Sequence, residues 1–194
     1  MRLILFIITS TLCLSSLSDI NQGQQTQPSA PTQYAAGRSI PLHGNVTVKV
    51  LLGTTTPFAG YLEKGQPLVV DLHFTATSDA IVDLFPSRDA TKSGLALLIG
   101  GERIAPYALS STTRGSTDKV VLVDNLVTNP KTGRGVQLMM MFANADEFVV
   151  HYLFRLRDDQ LNLPKALVLE ISSGEMRPDA REEVRSLQIS FEHK

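Results

Sequence analysis

The chain has 194 residues, with 18 basic and 19 acidic side chains, four histidines, one cysteine and no tryptophan. A near-neutral balance without a basic cluster argues against nucleic acid or an anionic membrane as the main partner. A hydrophobic content of 43% is that of a globular protein, so most of the chain is expected to fold.

Met1-Arg2 gives a short positive start, Leu3 to Leu14 is an apolar run, and small residues follow in Ser15-Ser16-Leu17-Ser18. These are the parts of a secretory signal peptide over residues 1–18, cut after Ser18. The run is too short for a membrane span, which needs roughly 20 apolar residues. Cys13 lies inside it, and the large Leu12 before it disfavours lipidation. Without that segment the mature chain has no thiol, no disulfide and no transmembrane span, so its stability must come from a core. Export to the periplasm or the medium is the expectation.

Residues 19–43, with five glutamines and three prolines, read as a flexible tether, and residues 44–194 as one folded domain. The period there is two almost everywhere. Val46, Val48 and Val50 alternate with Asn45, Thr47 and Lys49; Leu68, Val70, Leu72 and Phe74 alternate with Asp71, His73 and Thr75. That alternation predicts half-buried strands. Segments 80–85, 95–100, 119–124, 165–171 and 186–192 are further short apolar or β-branched runs bounded by turn residues. About nine strands predict an all-β, antiparallel β-sandwich, immunoglobulin-like in topology. At most one short helix is expected, over 177–185 from Pro178. Asn45-Val-Thr47 matches the glycosylation pattern, but nothing in the sequence calls for its use.

Ser116-x-x-Lys119, the triplet ending at Asn125, and Lys131-Thr-Gly133 resemble, in order, the three signatures of penicillin-binding proteins and serine β-lactamases. In that family a helix carries the serine and lysine, and the third motif lies far along the chain. Here all three fall on two turns and one strand, with Val123 where serine belongs, so the match reads as coincidence. His43, His73, His151 and His193 form no short metal motif.

The richest stretch is 135–154, "GVQLMMMFANADEFVVHYLF". Folding 136–142 and 148–156 as a hairpin pairs Phe142 with Phe148 and sends Leu138, Met140, Phe142, Phe148, Val150, Tyr152 and Phe154 to the core. Met139, Met141, Val149, His151 and Leu153 then form an apolar back face, with Met139 across from His151. Cover by the 157–165 connection or the tether is one account of that face. A Cu(I) site of thioether and imidazole is another, making the chain a periplasmic copper-binding protein. A partner surface is the third, and the one preferred as function.

The sequence therefore predicts an exported, non-enzymatic binding module without cofactor, meeting an exported protein or a cell-envelope component through those five residues. The alternative class is a periplasmic or secreted enzyme, a hydrolase or metal-dependent, assembled from separated loops.

Overall fold

The structure is a computed structural model and describes residues 31–62, 65–113, 116–125, 138–142, 147–176 and 182–191. The expected signal segment and most of the expected helix lie outside these. Fourteen strands follow in chain order: β1 (Thr32–Ala35), β2 (Ser39–Pro41), β3 (Val46–Leu52), β4 (Gln66–Ala76), β5 (Ala80–Leu84), β6 (Leu95–Ile99), β7 (Glu102–Ile104), β8 (Ala108–Thr113), β9 (Ser116–Thr117), β10 (Val121–Leu122), β11 (Leu138–Phe142), β12 (Glu147–Leu156), β13 (Lys165–Glu175) and β14 (Arg185–Phe191). Short 3-10 segments cover Thr56–Tyr61, Val123–Asn125 and Asp158–Gln160, and the described residues contain no α-helix.

The strands form two sheets. Sheet I runs β1-β14-β13-β5-β11, with β6 also on β13 and β7 on β6; sheet II runs β10-β8-β12-β4-β3-β2, with β9 on β8. The chain changes sheet between β1 and β2, β4 and β5, β7 and β8, β10 and β11, β11 and β12, and β12 and β13. The two sheets thus enclose one core. This is the expected immunoglobulin-like β-sandwich, with every strand pair antiparallel except the parallel pair β1–β14.

Period-two patterning explains which side chains meet inside. Val46, Val48 and Val50 of β3, Val70, Leu72 and Phe74 of β4, and Val150, Tyr152 and Phe154 of β12 are buried against Val82 and Leu84, Leu167, Leu169 and Ile171, and Leu187 and Ile189 of sheet I. Met140 and Phe142 belong to the same cluster, with Leu138 and Phe148 packed on it. The Phe142 ring lies edge-on to Phe74 at 6.2 Å and to Phe148 at 6.1 Å between centroids.

Three sequence expectations need correction. Residues 138–142 and 147–156 form no hairpin: β11 pairs with β5 in sheet I, while β12 lies between β4 and β8 in sheet II. Phe142 and Phe148 do meet, but across the sandwich rather than along a ladder. Part of the expected tether is strand, since β1 and β2 lie within 32–41 and Ile40 is fully buried. Its glutamine-rich composition hid Ile40 and the partly buried Tyr34, Ala36 and Leu42 that pack on the core. Residues 119–124 supply only the two-residue β10, and β8, whose "ALSSTT" has almost no apolar alternation, was not foreseen.

A turn closes one end of the sandwich where Gly44, at φ 72°, lies against the backbone of Gly174; an added Cβ would sit 2.5 Å from that carbonyl carbon. At the other end Arg157 donates two bonds to Glu102, at 3.1 and 2.8 Å, joining the end of β12 to the β6–β7 turn.

Tyr152 breaks the apolar rule of the core. Its side chain is fully buried, burial pushes its phenol well above the ordinary range, and its hydroxyl has no hydrogen-bond partner among the described residues. An unpaired buried hydroxyl costs about 1–3 kcal/mol. Tyr152→Phe is therefore expected to raise stability by about 1 kcal/mol in urea denaturation. A clear loss of stability would contradict this placement.

Candidate functional site

The outward side chains of sheet II are set by three registers. β12 pairs with β4 so that Val149 opposes His73, His151 opposes Asp71 and Leu153 opposes Val69. On its other side it pairs with β8, placing Val149 across from Thr112 and Leu153 across from Ala108. β3 adds Lys49 beside His73 and Leu51 beside Asp71.

One half of this face is covered by the chain itself. Val69, Ala108 and Leu153 are buried with Phe58, and Tyr61, Leu62, Tyr107, Val120 and Leu122 pack around them. Pro57 is the second residue of the covering 3-10 segment, where its fixed φ suits a first turn. Arg155 holds that cover down: its guanidinium carbon lies 3.3 Å from the centre of the Tyr107 ring, and Nη2 donates to the Tyr61 carbonyl at 3.1 Å. Beyond this cover the face opens onto Thr47, Lys49, His73, Thr75, Val149 and Thr112, all at least partly exposed.

A polar relay marks the boundary between the two halves. His151 Nδ1 lies 2.8 Å from Asp71 Oδ1, and His151 Nε2 lies 2.9 Å from Thr112 Oγ1. Thr112 Oγ1 is in turn 3.0 Å from Thr117 Oγ1. A carboxylate only accepts, so in neutral His151 Nδ1 carries the proton and donates to Asp71. Nε2 then accepts the Thr112 hydroxyl, and Thr117 donates to Thr112. The His151 and Asp71 side chains are 13% and 14% exposed, while His73, 4.0 Å from the other Asp71 oxygen, is 39% exposed. Gly53 lies over the carboxylate: an added Cβ there would clash with Asp71 Oδ1 where it now sits, and would displace the carboxylate.

The five residues singled out by sequence do not share a surface. Val149, His151 and Leu153 lie on the outer side of sheet II, and Leu153 is fully buried there. Met141 lies on β11 of sheet I and is 65% exposed; Met139 occupies the position opposite Asp83 in the same strand. The expected facing of Met139 and His151, and with it the thioether–imidazole copper site, is not formed, because the two residues belong to different sheets. Among the described residues no three His, Cys, Asp or Glu side chains gather to hold a metal ion. Of the Ser-x-x-Lys match, Ser116 lies on β9 rather than on a helix, and residues 131–133 lie outside the described residues. A separate cleft, lined by Thr32 and Glu182 to Ser186, includes no member of the relay.

Sequence reasoning put Asp71 and His73 on one outward face but missed their partners. His151 is 80 residues from Asp71, and Thr112 sits in a serine- and threonine-rich strand. Period-two alternation reports which face a residue takes, not which strand lies beside it.

No family model matches the chain, and no curated protein matches it. Among solved structures it is similar to AggA, the major subunit of aggregative adherence fimbriae type I from Escherichia coli. That match has 9% identity and a TM-score of 0.38, over 79% of this chain and 99% of that one. It is also similar to the collagen-binding domain of a Staphylococcus aureus adhesin, at 8% identity and a TM-score of 0.33, over 75% and 97% of the two chains. A third likeness is to a family 123 glycoside hydrolase from Clostridium perfringens, at 10% identity and a TM-score of 0.37, over 76% of this chain but 27% of the enzyme. These likenesses assign no family. The fold assignment rests on the sheet topology.

Burial on both sides of β12 gives a direct check. Val150→Asp places a charge in the main core and Leu153→Asp places one under the 3-10 cover. Each is expected to cost several kcal/mol in denaturant unfolding. A well-folded Leu153→Asp protein would show that this half of the face is open.

Proposed function

We propose that the chain is an exported binding module. It meets another exported protein or a cell-envelope component on the open half of sheet II, beside Val149 and His151. Support for export comes from the charged start, apolar run and small-residue exit of residues 1–18. No helix among the described residues is long and apolar enough to cross a membrane.

The observation that carries the binding reading is the division of the face. Its apolar half is sealed by Phe58 and its neighbours, while the other half is left to solvent with its side chains held in cross-strand register. Thr47 and Thr75 are tied to each other at 2.6 Å, and His151 is fixed from both ring nitrogens. Side chains already fixed lose little entropy when a partner docks. Leu153 supports this surface from beneath and does not touch the partner. Met141, exposed on the other sheet, lies outside this surface.

The test uses the mature protein recovered from the exporting host, whose first residue is expected near Asp19. Val149→Lys is expected to stay folded and to lose the partner in a pull-down. Met141→Lys serves as the comparison. Binding that survives Val149→Lys and is lost in Met141→Lys would place the interaction on sheet I and overturn the assignment. An intact Met1 on folded cytoplasmic protein would overturn export.

A further inference from the structure

The relay on sheet II is also a chemical arrangement. Hydroxyl, imidazole and carboxylate are linked in series at 2.9 and 2.8 Å, the separations at which a base can take a hydroxyl proton while a carboxylate orients it. With His151 neutral, Asp71 accepts from Nδ1–H and Nε2 is left to accept the Thr112 hydroxyl, while Thr117 donates to Thr112. In that form the single Thr112 proton points at the imidazole. Asp71 is held by its 2.8 Å bond to His151, with Gly53 close over its carboxylate, and Thr112 is partly exposed.

We propose that Thr112 is a nucleophile that takes the acyl group of small, activated carboxylic esters, with His151 as general base and Asp71 as its positioning residue. Thr112 Oγ1 adds to the ester carbonyl as its proton passes to His151 Nε2. The tetrahedral adduct collapses by breaking the bond to the leaving oxygen, which takes that proton from Nε2. The product is acyl-Thr112 and a free phenol or alcohol. Water, deprotonated by the same nitrogen, then releases the carboxylic acid and restores the hydroxyl. A short acyl chain suits the site because Val149, directly across the ladder from Thr112, offers one apolar side chain beside it. An aryl leaving group suits an open sheet face, since its departure needs little help from surrounding donors.

This activity is independent of the binding reading, and its test needs no partner. The mature protein is incubated with 4-nitrophenyl acetate; 4-nitrophenolate release and the masses of proteolytic peptides are followed. One acetyl group is expected on Thr112, and none in Thr112→Val, which puts a methyl group in place of the hydroxyl. In His151→Gln and Asp71→Asn acetylation should be slower by at least about tenfold. Thermal unfolding of each variant separates loss of fold from loss of reactivity, with Thr112→Val as the variant least disturbing to packing. Acetylation of lysines alone, or an unchanged Thr112 rate in His151→Gln, would overturn the proposal.

Discussion

The ten-residue register of β12 against β4 is the constraint on which the rest depends. It runs from Glu147 opposite Thr75 to Leu156 opposite Gln66, and β8 takes the other side of the same strand. Because side chains alternate, this pairing decides both faces at once. Val150, Tyr152 and Phe154 enter the core, while Val149, His151 and Leu153 line the outside. A slip of one residue would expose three large core side chains and bury the imidazole among aliphatics. The ladder and the core therefore enforce each other.

The same register makes the outer face uneven. Where β12 carries Leu153, its neighbours carry Val69 and Ala108, and the chain folds back to cover them. Where it carries Val149, its neighbours carry His73 and Thr112, and no such cover is needed. His151 stands between, and its two ring nitrogens satisfy groups on both adjacent strands. One imidazole thus ties three strands together while facing partly to solvent. That position gives the open half of the face its order without an apolar layer above it.

Much of the fold was legible in local pattern. The alternation of 46–50, 68–74 and 187–191 placed the right residues inside, and all seven core residues assigned to the 138–154 stretch are in or on the main cluster. What failed was the neighbour. Two adjacent strands joined by a short loop read as a hairpin, yet the chain crosses between sheets there, and the sequence carries no signal that separates the two. Both arrangements bury the same faces, so burial pattern cannot choose between them. Ile40 and the strands near it were missed for a related reason: Tyr34, Ala36, Ile40 and Leu42 are irregularly spaced in a polar stretch and give no run of alternation. The relay was least legible, because its members come from β4, β8 and β12 and only tertiary pairing brings them together.

Strand neighbours are tested most directly by disulfide trapping in a chain with Cys13 replaced. Directly opposed residues in an antiparallel ladder lie within disulfide reach, with Cα atoms about 4.5–5.5 Å apart. The Val149→Cys/His73→Cys pair is predicted to oxidise to a cross-link in the folded protein, and the Val149→Cys/Met141→Cys pair is predicted to stay reduced. The opposite result, a cross-link to position 141 and none to position 73, would restore the local hairpin and contradict the register on which the core, the divided face and the relay all rest.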